Sequence, residues 1–246
     1  MTETTPTLYI LNRNYSSWSL RGWIALRALN IKFDTVELII SSDNETKDLF
    51  TPEANALMAR AGPTGKVPAL HVTKPNGEKH IVFESLALME YLAEDHPSLW
   101  PADKYERAYA RSLASEMATN FGALRNYAMN VRAVYPFDAA LYTPAVEKNL
   151  LRISAIWEEL RSKAAQNKDD KGYLFGSFTA LDAMYAPLPY RLIGYSLVDK
   201  IQGKHAQAYV QHMLNSPEMQ EWTKDSKLEP WIIPADELYP ISAPSS

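Results

Sequence analysis

Along the first 94 residues the spacing of apolar positions changes period several times. Residues 7–11 (TLYIL) and 33–40 (FDTVELII) read as strands, and between them Leu20, Trp23, Ile24 and Ala28 recur at helical spacing, predicting a helix over 19–29. This is a βαβ unit. A polar stretch occupies 41–47, then a short helix lies near 52–61. Residues 67–72 and 80–83 read as two further strands flanking Lys74-Pro75-Asn76-Gly77, a turn signal that predicts an antiparallel hairpin. Leu86, Leu88, Met89 and Leu92 restore the helical period over 85–93 and complete a β-α-β-α-β-β-α order.

Beyond this point no strand pattern is left. Two prolines interrupt the periodicity across 95–103, with Trp100 placed to pin the chain, so the expected division is an α/β domain over 1–94, a linker over 95–103 and an all-helical domain over 104–246. From Tyr105 through Tyr109, Leu113, Met117, Phe121, Leu124 and Ala128 to Val131 the apolar residues advance by three or four. They predict a single helix of roughly 28 residues, about 42 Å long. Thr143-Pro144 starts the next helix, and Thr179-Ala180-Leu181-Asp182 has the form of a capping box. Pro187 and Pro189 kink or break the helix that this box opens, Ser216-Pro217 starts a last helix, and 234–246 reads as a loose tail.

Composition narrows the chemistry. The 246 residues carry 25 Lys plus Arg against 29 Asp plus Glu, so no basic excess is present to hold nucleic acid or an acidic bilayer. With no cysteine there is no disulfide, no thiolate metal site and no cysteine nucleophile. The five histidines show no metal-ligand spacing. The first residues lack a basic-then-apolar signal run, and no apolar stretch is long enough to span a bilayer, so the expected location is cytoplasmic.

Three short runs in the first domain are candidates for a site. Asn14-Tyr15-Ser16-Ser17-Trp18-Ser19 sets hydroxyls between a strand and a helix, where they either cap the helix or stabilise an anion at its positive end. Gly65-Lys66-Val67-Pro68 puts a proline at the mouth of a strand, marking an edge or a bend. Phe83-Glu84-Ser85 opens a helix with Glu and Ser in the first turn, ordinary dipole-matched residues there that are also candidates to meet a ligand.

In this order and topology the runs resemble the glutathione S-transferase superfamily across essentially the whole chain. The resemblance covers the strand, hydroxyl turn and helix, the Val-Pro and Glu-Ser pairs, the proline-rich linker and the Thr-Ala-Leu-Asp box. It implies a thioredoxin-like N-terminal domain followed by an all-α domain, with glutathione as co-substrate, no permanently bound cofactor and a homodimer. Ser16 falls where serine-using classes (tau, theta, zeta) place the hydroxyl that contacts the glutathione sulfur, with Ser17 as rival and Tyr15 a weaker contender. The zeta motif SSCS compares with Ser16-Ser17-Trp18-Ser19, so Trp18 replaces its cysteine and departs from the maleylacetoacetate isomerase pattern. The runs SEMATNFGALR (115–125) and MNVRA (129–133) resemble a bacterial-type branch.

The same resemblance implies that Val67, before a cis Pro68, pairs with the peptide backbone of glutathione. Glu84 is then expected to meet its ammonium, Ser85 its γ-glutamyl carboxylate and Lys66 its glycyl carboxylate. The pocket for a small hydrophobic electrophile is expected between the domains, lined by Tyr15, Trp18, Asn120, Phe121, Leu124 and Tyr127, with Arg125 either attracting an anionic substrate group or bridging on the surface. The implied activity is conjugation of glutathione in detoxification. Isomerase, dehalogenase, peroxidase or non-catalytic binding functions are the alternatives on the same fold.

Overall fold

The computed structural model describes residues 5–40 and 51–238. The polar stretch at 41–47 and the last part of the tail, 239–246, lie outside the described residues. The first seven elements match the order read from the sequence: β1 (Thr7–Leu11), α1 (Ser17–Ala28), β2 (Asp34–Leu38), α2 (Pro52–Ala59), β3 (Ala69–Thr73), β4 (Lys79–Phe83) and α3 (Ser85–Asp95). The strands form one mixed sheet of order β2-β1-β3-β4, with β1 parallel to β2 and antiparallel to β3, and β3 antiparallel to β4. Pro68 stands just before β3, where its missing N–H removes no rung from the ladder, and the Val67–Pro68 bond is cis. This is a thioredoxin-like domain, and the rest of the chain is predominantly helical.

Among the described residues that second half contains seven α-helices: α4 (Lys104–Thr119), α5 (Gly122–Arg125), α6 (Pro144–Ala164), α7 (Ala180–Tyr185), α8 (Pro187–Gly194), α9 (Lys204–Asn215) and α10 (Pro217–Leu228). Thr143 and Ser216 cap α6 and α10 with their hydroxyls, as the Thr-Pro and Ser-Pro signals require. The expected 28-residue helix is corrected. It ends at Thr119, because Asn120 is extended and Phe121 adopts a left-handed conformation (φ 60°), and the single turn α5 restarts the path in a new direction. Arg125 Nη1 then reaches back to the carbonyls of Ala118 (2.7 Å) and Asn120 (3.3 Å), supplying donors at the open end of α4.

The two halves share one core, centred on α1. Leu20 and Ile24 are buried there, each contributing about 1.5–3 kcal/mol relative to exposure. Trp23 meets Trp222 of α10 edge-on at 5.1 Å, and the Trp222 indole N–H donates to the Arg13 carbonyl (3.0 Å). The described part of the expected loose tail, through residue 238, is held by hydrogen bonds, as is the segment just before it. The Glu229 carboxylate accepts the N–H groups of Arg13 (2.6 Å) and Asn14 (3.1 Å), and Arg132 donates to the carbonyls of Glu229 and Trp231. Glu237 accepts from Tyr15 (2.5 Å), Tyr135 (2.9 Å) and Asn130 (2.9 Å). Residues 229–238 therefore strap the turn that precedes α1 onto the helical half.

Candidate functional site

A cavity of about 760 Å³ opens beside the first turn of α1, its walls including Ser16, Trp18, Lys66, Val67, Pro68, Glu84 and Arg125. Three of its walls come from the three runs singled out in the sequence. The fourth feature, Arg125, comes from the helical half.

Ser16 is the N-cap of α1, in extended conformation, and its Oγ accepts the Ser19 N–H at 3.3 Å. Its hydroxyl also lies 2.7 Å from the Ser19 hydroxyl, and that oxygen accepts the Leu11 N–H at 2.9 Å. When Ser19 donates to Ser16, the Ser16 proton is left to point into the cavity, at the positive end of a twelve-residue helix. Such a chain of donors strengthens the last one. Ser19 is fully buried, and in the sequence it is only one of several hydroxyls; its partner, the end of β1, is eight residues away.

Ser17 stands apart from this cavity. Its Oγ accepts from Arg191 Nη2 at 3.2 Å, and it faces a smaller adjoining cleft of about 180 Å³ that Tyr15, Ser16, Trp18 and Asp236 also line. The Tyr15 hydroxyl donates to Glu237 and accepts from Arg132 Nη2 (3.1 Å), and burial, followed by that Glu237 bond, pushes its phenol up to about 12. It is occupied as a structural donor.

On the facing wall, Glu84 is an N-cap whose side chain makes no cap bond to its own helix. Its backbone has a positive φ (φ 69°, ψ 131°), a conformation that costs a non-glycine residue about 1–3 kcal/mol. The strained turn carries the chain directly from β4 into α3 and leaves the exposed carboxylate on the cavity wall. Ser85 comes next as the first residue of α3 and is buried, while Lys66 is exposed at the rim.

Pro68 is held from behind by a residue outside the three runs. A Cβ built on Gly22 would sit 2.8 Å from Pro68 Cβ and 3.1 Å from its Cγ. A glycine inside an otherwise helical stretch is the signal the sequence offers for it. Gly22→Ala is expected to displace the Pro68 ring and cost about 1–3 kcal/mol of stability through overpacking. Thermal unfolding checks this, and a variant as stable as the parent would show that the two elements separate freely.

Of the residues expected to line an electrophile pocket, Trp18 lies on the wall of the main cavity and four do not. Asn120 is exposed at the end of α4; Phe121 and Leu124 are buried in the core. Tyr127 packs its ring 4.7 Å from that of Tyr195 and donates to the Leu141 carbonyl, lining a different crevice. The break at Phe121 is the cause, because it rotates this stretch away from the phase a continuous helix would give. Tyr15 reaches only the smaller cleft.

Among the described residues no group of three or more His, Asp or Glu side chains is placed to hold a metal ion, and no helix is long and apolar enough to cross a membrane. The walls carry a hydroxyl, the residues that lead into β3, a carboxylate and cations.

Comparison with known proteins bears on the family and the fold. A family model described as the N-terminal domain of glutathione S-transferase matches residues 15–95. A probable maleylacetoacetate isomerase of Caenorhabditis elegans is 32% identical over 128 residues, 51% of this chain and 52% of that protein. The chain thus spans about half the length of the first curated relatives it matches. Glutathione S-transferase U16 of Arabidopsis thaliana is 31% identical over 179 residues, 68% of each chain. In fold, the chain is similar to a tau class glutathione S-transferase of mango (TM-score 0.63, 18% identity, covering 92% of this chain and 97% of that one). It is also similar to a glutathione transferase of Pseudomonas putida solved with glutathione disulfide (TM-score 0.62, 18% identity, covering 89% and 91%). The cavity at the start of α1, the strand order behind it and the length of the match to the Arabidopsis protein lead to one conclusion: the chain belongs to the glutathione S-transferase superfamily.

Proposed function

We propose that the chain is a glutathione transferase in which the Ser16 hydroxyl holds glutathione as a thiolate, and the thiolate adds to a small electrophile lodged beside Trp18. The observation that carries this reading is the convergence of Ser16, Val67, Pro68 and Glu84 on one cavity. A free thiol with a pKa of about 8.5 is only a few per cent ionised at neutral pH; lowering it by about two units requires roughly 2.7 kcal/mol. A charge-assisted hydrogen bond from Ser16, backed by Ser19 and the start of α1, supplies an effect of that size. The serine stays protonated and needs no base.

In this reading Val67 offers its backbone to the cysteinyl unit as a short added strand. Glu84 pairs with the ammonium, Ser85 at the start of α3 holds the γ-glutamyl carboxylate, and Lys66 meets the glycyl carboxylate. The sulfur lone pair forms the new C–S bond as the leaving group departs with its electron pair. No permanently bound cofactor enters the reading. A homodimer in the cytoplasm is part of the same proposal.

Calorimetric titration with glutathione, together with thiolate absorbance at neutral pH, tests it. Binding with a thiolate band is expected, and absence of any affinity for the tripeptide overturns the reading. A second reading, glutathione-dependent isomerisation, is favoured by the names of several relatives. Stoichiometry separates the two, since an isomerase regenerates glutathione and a transferase consumes it.

A further inference from the structure

Three arginines cluster near Ser17 and Trp18, one of them, Arg125, on the cavity wall, and none forms an ion pair among the described residues. The Arg21 guanidinium lies 4.0 Å and that of Arg125 5.1 Å from the Trp18 ring centre. Arg191, on α8, donates to the Tyr127 carbonyl (2.7 Å) and to the Ser17 hydroxyl (3.2 Å) just across α1. Arg21 is 1% exposed, and its Nε and Nη1 have no hydrogen-bond partner; Nη1 of Arg191 has none either. Arg125 spends only Nη1, on the end of α4, and lines the cavity itself.

Clustering such charges is costly. Burial first, and then the charges of Arg191 and Arg125, pull Arg21 down to about 9, while burial and Arg125 pull Arg191 down to about 10. Both remain cationic at neutral pH. Asp236 acts on Arg191 from beyond ion-pair distance, and Glu84 stands on the wall across the cavity. The Trp18 end of the cavity thus has three guanidinium charges near it, with that of Arg125 and the Trp18 side chain on the wall itself.

We propose that this end of the cavity selects a second substrate bearing a carboxylate, with Arg125 as the direct partner and Arg21 and Arg191 as positioning charges behind Trp18. The proposal deepens the transferase reading and rests on it for the word substrate. The binding preference itself needs no bound glutathione. An aromatic carboxylate suits the site because its ring can lie against Trp18 while its anionic group meets the guanidinium.

The test is calorimetric titration of the full chain, without glutathione, by an unreactive matched pair: 4-nitrobenzoate and 4-nitrobenzamide. The anion is expected to bind at least ten-fold more tightly than the amide. Arg125→Gln should bring that ratio close to one, while Arg125→Lys keeps part of it. Equal binding of the two probes by the parent protein, or binding of neither, overturns the proposal, and this outcome is read without any variant. A ratio unchanged in Arg125→Gln, with glutathione affinity lowered instead, also overturns it, because the arginines would then serve the thiolate. If glutathione fails to bind while the anion preference holds, the transferase reading falls and the carboxylate site stands.

Discussion

Replacing Ser16 with alanine is expected to abolish the thiolate band seen on adding glutathione at neutral pH and to lower kcat/KM about 10²-fold. That factor corresponds to the roughly 2.7 kcal/mol needed to shift a thiol by two units. The glutathione dissociation constant should change far less, because the strand end, Glu84 and the start of α3 still hold the tripeptide. Ser17→Ala is the control. Its hydroxyl is engaged by Arg191 and lies outside the main cavity, so the thiolate band should persist. Ser19→Ala should fall between the two, since it removes the donor behind Ser16 and leaves Ser16 in place. Thiolate difference spectra across pH check all three. If the band survives in Ser16→Ala and disappears in Ser17→Ala, the sulfur contact has been placed one residue out of register.

Asp182→Ala should be among the most destabilising single substitutions in this chain. The side chain is fully buried, and its two oxygens take four donors: the Thr179 N–H and hydroxyl, each at 2.8 Å, and the Leu174 N–H and Tyr209 hydroxyl, each at 3.0 Å. Burial pushes the carboxyl up against the pull of those donors, so this group is costly to bury and costlier to delete. Alanine leaves the donors without an acceptor at about 1–3 kcal/mol for each one stranded, and a total loss of about 4 kcal/mol is expected. That is a large part of the roughly 5–15 kcal/mol by which domains are stable, and it lowers Tm by about 10 °C at this chain length. Thr179→Ala should cost only about 1 kcal/mol, the ordinary effect of losing a cap. Urea unfolding of the two variants side by side measures the difference. Comparable losses would show that Asp182 acts only as a helix-capping residue.

That contrast shows how far the sequence could be read. Thr179-Ala180-Leu181-Asp182 announces its box through local spacing, and the box is present; nothing in those four letters points to Leu174 or Tyr209. The same holds at the candidate site. The Val67–Pro68 pair before a strand, the hydroxyl run before α1 and Glu84-Ser85 at the start of α3 are local signals, and the fold places the first two and Glu84 on one cavity. The long helix failed because heptad-like spacing continues through Asn120-Phe121-Gly122, although Phe121 turns left-handed there. With it went Asn120, Phe121, Leu124 and Tyr127 as cavity walls.

Gly22 and the arginine cluster were illegible for a different reason. Gly22 matters because of Pro68, which is 46 positions further along the chain, and Arg21 and Arg191 owe their strained electrostatics to elements separated by about 170 residues. No window of sequence contains both members of either relationship.

The chain by itself determined the thioredoxin-like order of strands and helices, the helical second half, the absence of cysteine and the three short runs that mark the candidate site. These are set by hydrophobic period, by proline and glycine, and by caps, all of which act within a few residues. Only the tertiary structure decided that Ser16 and not Ser17 faces the main cavity, that residues 229–238 strap the turn before α1, and that three arginines without ion-pair partners among the described residues stand near Ser17 and Trp18. Those outcomes depend on which surfaces of α1 meet α7, α8 and α10, and packing and electrostatics between distant segments exist only once the chain has closed on itself.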